Sequence, residues 1–178
     1  WSDLNFAAKT LTIARAAEET KAFGRRTKEP KTARGRRTIA IDDGLVALLR
    51  GIREGHQRLV AGVPNGADAD ISLVKLPEDA LIFPAPGAAL SQLRDVNAVT
   101  RAFGRHAAKL GFGHFRFHDL RGSHETMLLD AGVPVHTVAA RCGHDPAMLL
   151  RAYAKRTAGS DAKAAAIIGE LAAGKEAR

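Results

Sequence analysis

Apolar and polar positions alternate from Lys9 to Glu19 around Leu11 and Ile13, which predicts a strand. Thr38, Ile39 and Ile41 in the run Arg36–Asp42 predict a second, because β-branched side chains suit a pleated surface. Between them lies "KAFGRRTKEPKTARGRR", where Pro30 and the glycines mark turns, so a small antiparallel sheet with hairpins is expected. The period then lengthens. Leu45, Leu48, Leu49, Ile52 and Leu59 predict one apolar face of a helix through "GLVALLRGIREGHQRLVAG", which Asp42 and Asp43 can cap. Residues 62–80 carry Gly, Pro, Asn and Asp and read as a loop, and "LIFP" (Leu81–Pro84) as a short extended piece. A helix from about Asp95 to Leu110 has Gly111 just beyond it. Another, capped by Asp119, is expected to bury Leu120, Met127, Leu128 and Leu129 and to end at Gly132. Pro134 and Gly143 bracket a short helix, and Asp145 with Pro146 opens the next. Ser160 starts an Ala-rich helix reaching Ala173, with Ile167, Ile168 and Leu171 as its apolar side. A small sheet followed by many helices predicts an α+β, mostly helical fold: a small antiparallel β-sheet with basic hairpins, then a helical bundle.

Composition narrows the partners. The 178 residues, 46% of them hydrophobic, suffice for a packed core. Lys and Arg number 27 against 19 Asp and Glu, a formal charge of +8. Eight of the 17 residues from Lys21 to Arg37 are Lys or Arg and only Glu29 is acidic, so the charge is concentrated early. That balance favours nucleic acid first and an anionic membrane surface second. No apolar run approaches the ~20 residues of a membrane-spanning helix. A single cysteine allows no internal disulfide and fits a reducing, cytoplasmic setting.

Four features carry chemistry. "HDLR" places His118 and Arg121 three apart at a helix start. "CGHD" follows, with His144 lying 23 residues beyond Arg121. Tyr153, the only tyrosine, stands nine residues after His144. "EPKT" presents Lys31 among the basic hairpins. Taken singly, these are a solvated helix end, a turn histidine, a packing tyrosine and a surface lysine. Their joint spacing is what argues for a site. His114, His124, His136 and Cys142, with His118 and His144, match no common zinc spacing.

The pattern resembles the catalytic domain of the tyrosine recombinases, the phage-integrase family. "HDLRGSHETMLLDAGVPVHTVAARCGHDPAMLLRAY" is similar to that family's H-x-x-R helix start, G-H turn and tyrosine, and "EPKTARGRRTIAID" looks like its lysine-bearing β-hairpin. The resemblance implies that Tyr153 attacks a DNA phosphodiester and forms a 3′-phosphotyrosine. Arg121 would clamp the phosphate, His118 act as acid/base beside the nucleophile, and His144 donate to a phosphate oxygen. Lys31 would protonate the leaving oxygen, with Lys28 as runner-up because hairpin register is not readable here. Lys28, Arg34, Arg36 and Arg37 would contact the DNA backbone. No cofactor or metal is implied. The partners would be double-stranded DNA at specific recombination sites and further copies of the chain, as a tetramer on DNA.

Three departures stand beside the resemblance. The family carries a further arginine in a "TGxR" segment ahead of a "W-x-D" strand entry, and this chain starts at "WSDLN". The expectation is therefore a single partial catalytic domain over residues 1–178, lacking that segment and an N-terminal DNA-binding domain, and nearly inactive alone. Gly122 and Ser123 follow Arg121 where the family has a basic residue or His and then Thr or Ser. Cys142 replaces a leucine before G-H and reads as a small buried apolar residue. A non-catalytic DNA-binding remnant is the first competing reading. A helix-turn-helix regulator is the second, and it leaves Lys31, His144 and Tyr153 unexplained.

Overall fold

The computed structural model describes residues 1–154 and 165–169. It is an α+β chain. Five short strands, β1 (Leu4–Asn5), β2 (Thr10–Ile13), β3 (Ala16–Thr20), β4 (Gly24–Lys28) and β5 (Arg37–Ala40), precede five helices. The helices are α1 (Asp43–Ala61), α2 (Val96–Lys109), α3 (Asp119–Asp130), α4 (Val135–Cys142) and α5 (Pro146–Ala154). Two compact units divide the chain, Trp1–Gly122 and Ser123–Arg178.

In the first unit, β1, β2 and β5 form an antiparallel sheet in that order, and β3 pairs with β4 as a separate hairpin. The run Lys9–Glu19, expected as one strand, is thus two strands in two sheets. β5 offers β2 only four partners, from Ala40 opposite Thr10 to Arg37 opposite Ile13. Beyond them the chain breaks at Ala14 and Arg15, where the Arg15 guanidinium pairs with Asp3, and β3 finds a new partner. Thr12 and Thr38 face each other across the ladder with their hydroxyls 2.9 Å apart.

Asp42 caps α1 by accepting from the Leu45 N–H at 3.0 Å, and Gly62, at φ +68°, ends it in the left-handed conformation that glycine adopts without strain. The buried stripe of α1 is Val46 and Leu49, with Ile52 packed against it. They join Ile41 and Leu4, Phe6, Leu11 and Ile82 in the core of this unit. The expected face was wider. Leu45, Leu48 and Leu59 are exposed, Leu48 by 60%, because the narrow sheet covers a single stripe of the helix. Asp95 caps α2 through the Ala98 N–H, and Phe103 of α2 packs edge-on against Phe117 at 5.4 Å between ring centroids.

In the second unit the core is Val138, Ala139 and Cys142 of α4 with Leu149 of α5. Leu128, Leu129, Val133 and Val135 pack around them. Cys142 is buried there, as its size and polarity suggest. Leu120 and Met127, expected in the core, are exposed; the buried residue of α3 is Glu125. Residues 165–169 are helical, with Ile167 and Ile168 exposed, and the rest of the expected helix Ser160–Ala173, Leu171 included, lies outside the described residues.

Replacing Leu49 by Ala is expected to cost about 2–5 kcal/mol, the usual range for a leucine cut from a core. Replacing Leu48 by Ala should stay within about 0.5 kcal/mol. Denaturant unfolding of both variants tests the assignment of the α1 face, which equal losses would refute.

Candidate active site

His118 and Arg121 lie in the first unit, at the start of α3. The helix is entered through a tight turn in which the N–H groups of Asp119, Leu120 and Arg121 bond to the carbonyls of Arg116, Phe117 and His118 at 2.9, 3.3 and 3.1 Å. Asp119 was expected to cap the helix by accepting from downstream N–H groups. It reaches back. Its carboxylate accepts from the Arg116 backbone N–H at 2.8 Å and from the Arg116 guanidinium at 2.8 and 3.2 Å. That is the acidic half of a capping box, and it closes the turn around Phe117 and His118. The Arg116 side chain holds the Asp119 carboxyl down at about 2, with the Arg116 N–H and the nearby His118 acting in the same direction. A depressed carboxyl stabilises the fold above its unfolded value near 4. The clasp therefore weakens only as pH falls from about 4 toward about 2. His118 is exposed and Arg121 half-buried. Three residues apart on one turn, they share a face.

Lys31 also belongs to the first unit. It sits in a bend just after β4, ahead of the 3₁₀ turn Ala33–Gly35 that Thr32 caps. Its ammonium is exposed, with no ion pair or side-chain hydrogen bond among the described residues. Lys28, the runner-up, ends β4 and pairs with Glu18, which also takes Arg26 at 2.8 Å. Arg25 pairs with Glu19 across the same hairpin. Much of the basic charge expected to face outward is thus met by the opposing strand. The Lys28 ammonium, and after it the Arg26 guanidinium, holds the Glu18 carboxyl below its ordinary value. Arg34 and Arg36 are exposed, with Arg36 3.8 Å from Glu29, while Arg37 is half-buried and donates to the Gly35 carbonyl at 3.0 Å.

His144 and Tyr153 belong to the second unit. Gly143, at φ +68°, closes α4: its N–H bonds to the Ala140 carbonyl, and that of His144 to the Ala139 carbonyl at 2.9 Å. A side chain with a Cβ would be strained at Gly143, which explains glycine before histidine. Asp145 follows at once, and its side chain accepts from the Ala147 N–H at 2.8 Å at the start of α5. His144 is therefore held between a helix end and a helix start. Its Nδ1 lies 2.9 Å from Oε1 of Glu125. Tyr153, on α5, donates its hydroxyl to Oδ1 of Asp130 at 2.7 Å. That hydrogen bond is the main reason the phenol is pushed above its ordinary value of 10, with desolvation and the carboxylate charge adding to it.

Within the first unit, then, the structure brings His118 and Arg121 together. Within the second, it gives His144 and Tyr153 one carboxylate each from α3. Glu125 and Asp130 were missed in the sequence. A signal for Glu125 existed: at offsets 3 and 7 from His118, Arg121 and Glu125 fall on one helical stripe. Asp130 had none, because its partner lies 23 residues away in sequence.

The phage integrase family model matches residues 1–159. The chain belongs to the phage integrase family. Among curated members, a "Tyrosine recombinase XerC-like" protein of Caldanaerobacter subterraneus subsp. tengcongensis is 23% identical over 154 residues, covering 81% of this chain and 37% of the relative. The integrase of Mycobacterium phage FRAT1 is 26% identical over 142 residues, covering 80% and 37%. The chain thus spans little over a third of these relatives. In fold it is similar to the Tn1549 transposon integrase in complex with circular intermediate DNA, at a TM-score of 0.68 and 20% identity over 96% of this chain and 52% of that one. The same integrase in complex with transposon right end DNA gives 0.64, again at 20% identity over 96% of this chain and 51% of that one. No helix among the described residues of this integrase-family chain is long and apolar enough to cross a membrane.

Because Tyr153 is the sole tyrosine, phenolate absorbance in an alkaline titration reports it alone. Asp130→Ala is expected to lower the midpoint toward the ordinary value near 10. An unmoved midpoint would show that the carboxylate does not hold the phenol protonated.

Proposed function

We propose that the chain is the catalytic part of a site-specific DNA recombinase that cleaves and religates DNA through a 3′-phosphotyrosine. The observation that carries this reading is Tyr153. It stands within the residues matching the integrase family, nine beyond His144, with its hydroxyl in a hydrogen bond to a carboxylate instead of packed in a core. The relatives, a tyrosine recombinase-like protein and a phage's integrase, support the same chemistry, and the Tn1549 complexes support DNA as the partner.

In the cleavage step the Tyr153 oxygen attacks phosphorus, the bond from phosphorus to the 5′ oxygen breaks, and a 3′-phosphotyrosyl ester forms with a free 5′ hydroxyl. His118 takes the phenol proton, and Lys31 gives one to the departing oxygen. Arg121 meets the non-bridging oxygens with its rigid fork of donors, and His144 donates to one of them. Attack of a 5′ hydroxyl on the ester runs the step backward and joins strands, so no external energy source is needed. Arg34 and Arg36 track the phosphate backbone, with Lys28 and Arg37 beside them. The enzyme works as a multimer, a tetramer on two DNA sites, in the cytoplasm of a bacterium or phage-infected host.

The test uses a nicked duplex bearing the ends of the DNA element that carries the gene. In the full-length product of the gene, Tyr153→Phe is expected to abolish the detergent-resistant protein–DNA complex while DNA binding persists. Attachment that survives would refute the nucleophile, and a full-length product that binds DNA but never attaches would be a DNA-binding remnant. Lys31→Ala should slow attachment by roughly 10²–10⁴-fold, the range for a lost general acid. A 5′-bridging sulfur, whose thiolate leaves without a proton, should restore most of that rate. If it does not, Lys31 is not the acid.

A further inference from the structure

Glu125 is the one charged side chain that is buried among the described residues, at 7% exposure. Nothing in a helix surface requires a carboxylate there, and an apolar residue would fill the position at less cost. Its Oε1 faces Nδ1 of His144 at 2.9 Å. An ionised carboxylate only accepts, so Nδ1 carries the proton, and the bond at one ring nitrogen sets what the other can do. The His144 side chain is 23% exposed against 9% for that of Glu125, so the carboxylate is the more deeply buried partner.

We propose that Glu125 is a positioning residue for the phosphate contact of His144. It fixes the Nδ1–H form and the ring orientation, and it favours the imidazolium in which Nε2 also carries a proton to donate to a phosphate oxygen. The inference rests on the reading of His144 as a phosphate donor. The logic is that of a carboxylate behind a histidine in hydrolytic triads, turned here to anion binding. Arg141 of α4 donates to Nε2 of His124 at 3.3 Å, and Asp145 accepts from the start of α5. Without Glu125 the ring would be free to take its other tautomer, with Nε2–H and Nδ1 exchanged, and to lose its charge at lower pH.

The experiment has two arms. Nitrogen NMR of the labelled chain, with His144→Gln to assign the ring, reads tautomer and titration. The wild type is expected to keep Nδ1 protonated across the titration of Nε2. Glu125→Gln, whose carbonyl still accepts, should keep that tautomer but lower the His144 midpoint. Glu125→Ala should lose both. A midpoint unmoved in Glu125→Gln, or an unchanged tautomer in Glu125→Ala, would overturn the proposal. In the covalent-attachment assay, Glu125→Ala should slow the wild type about 10–100-fold, as loss of a residue supporting a ligating histidine does. Glu125→Gln should recover part of this, and Glu125→Ala combined with His144→Gln should be no slower than His144→Gln alone. Additive losses would mean that Glu125 acts by another route. If the full-length wild type attaches no DNA, the recombinase reading falls, while the nitrogen signals still decide whether Glu125 sets His144.

Discussion

Val138 has no exposed surface. Around it, residues from α3, α4 and α5 close into one small cluster, and everything of chemical interest in the second unit hangs from that contact. Leu128 and Leu129 are the α3 side of it, and Leu149 is the α5 side. The cluster is too small to tolerate much reshaping, because interiors are close-packed and a lost methylene is felt. It sets α4 and α5 so that His144 meets Glu125 and Tyr153 meets Asp130. The polar pairs contribute placement; the apolar residues supply the free energy that keeps them in place.

The two carboxylates act in opposite directions. As proposed, Glu125 favours charge on His144. Asp130 favours the neutral phenol. The same helix thus supplies a carboxylate to each of the two groups.

At the other end of the chain, charge is spent on structure as well as on partners. Arg25, Arg26 and Lys28 face Glu19 and Glu18 across the β3–β4 hairpin. Exposed pairs of this kind add little stability. They do lower the positive field of the hairpin, and they distinguish Lys28, which is paired, from Lys31, whose ammonium stands in solvent at the following bend.

The sequence by itself determined the helices with strong end signals, the family and the identity of the chemical groups. Asp42, Asp95, Gly111, Gly132 and Gly143 act over three or four residues, so their effects are written locally. The spacing from His118 to Tyr153 is equally a property of the chain alone. Tertiary structure decided which apolar residues are buried, since Leu48 and Met127 lie on the wrong stripe for the neighbours that formed. It also decided where the run Lys9–Glu19 breaks, since a strand ends where its partner does. And it decided that Glu125 and Asp130 belong with His144 and Tyr153, because a hydrogen bond between residues 19 or 23 apart depends on how helices pack, and no local pattern encodes that.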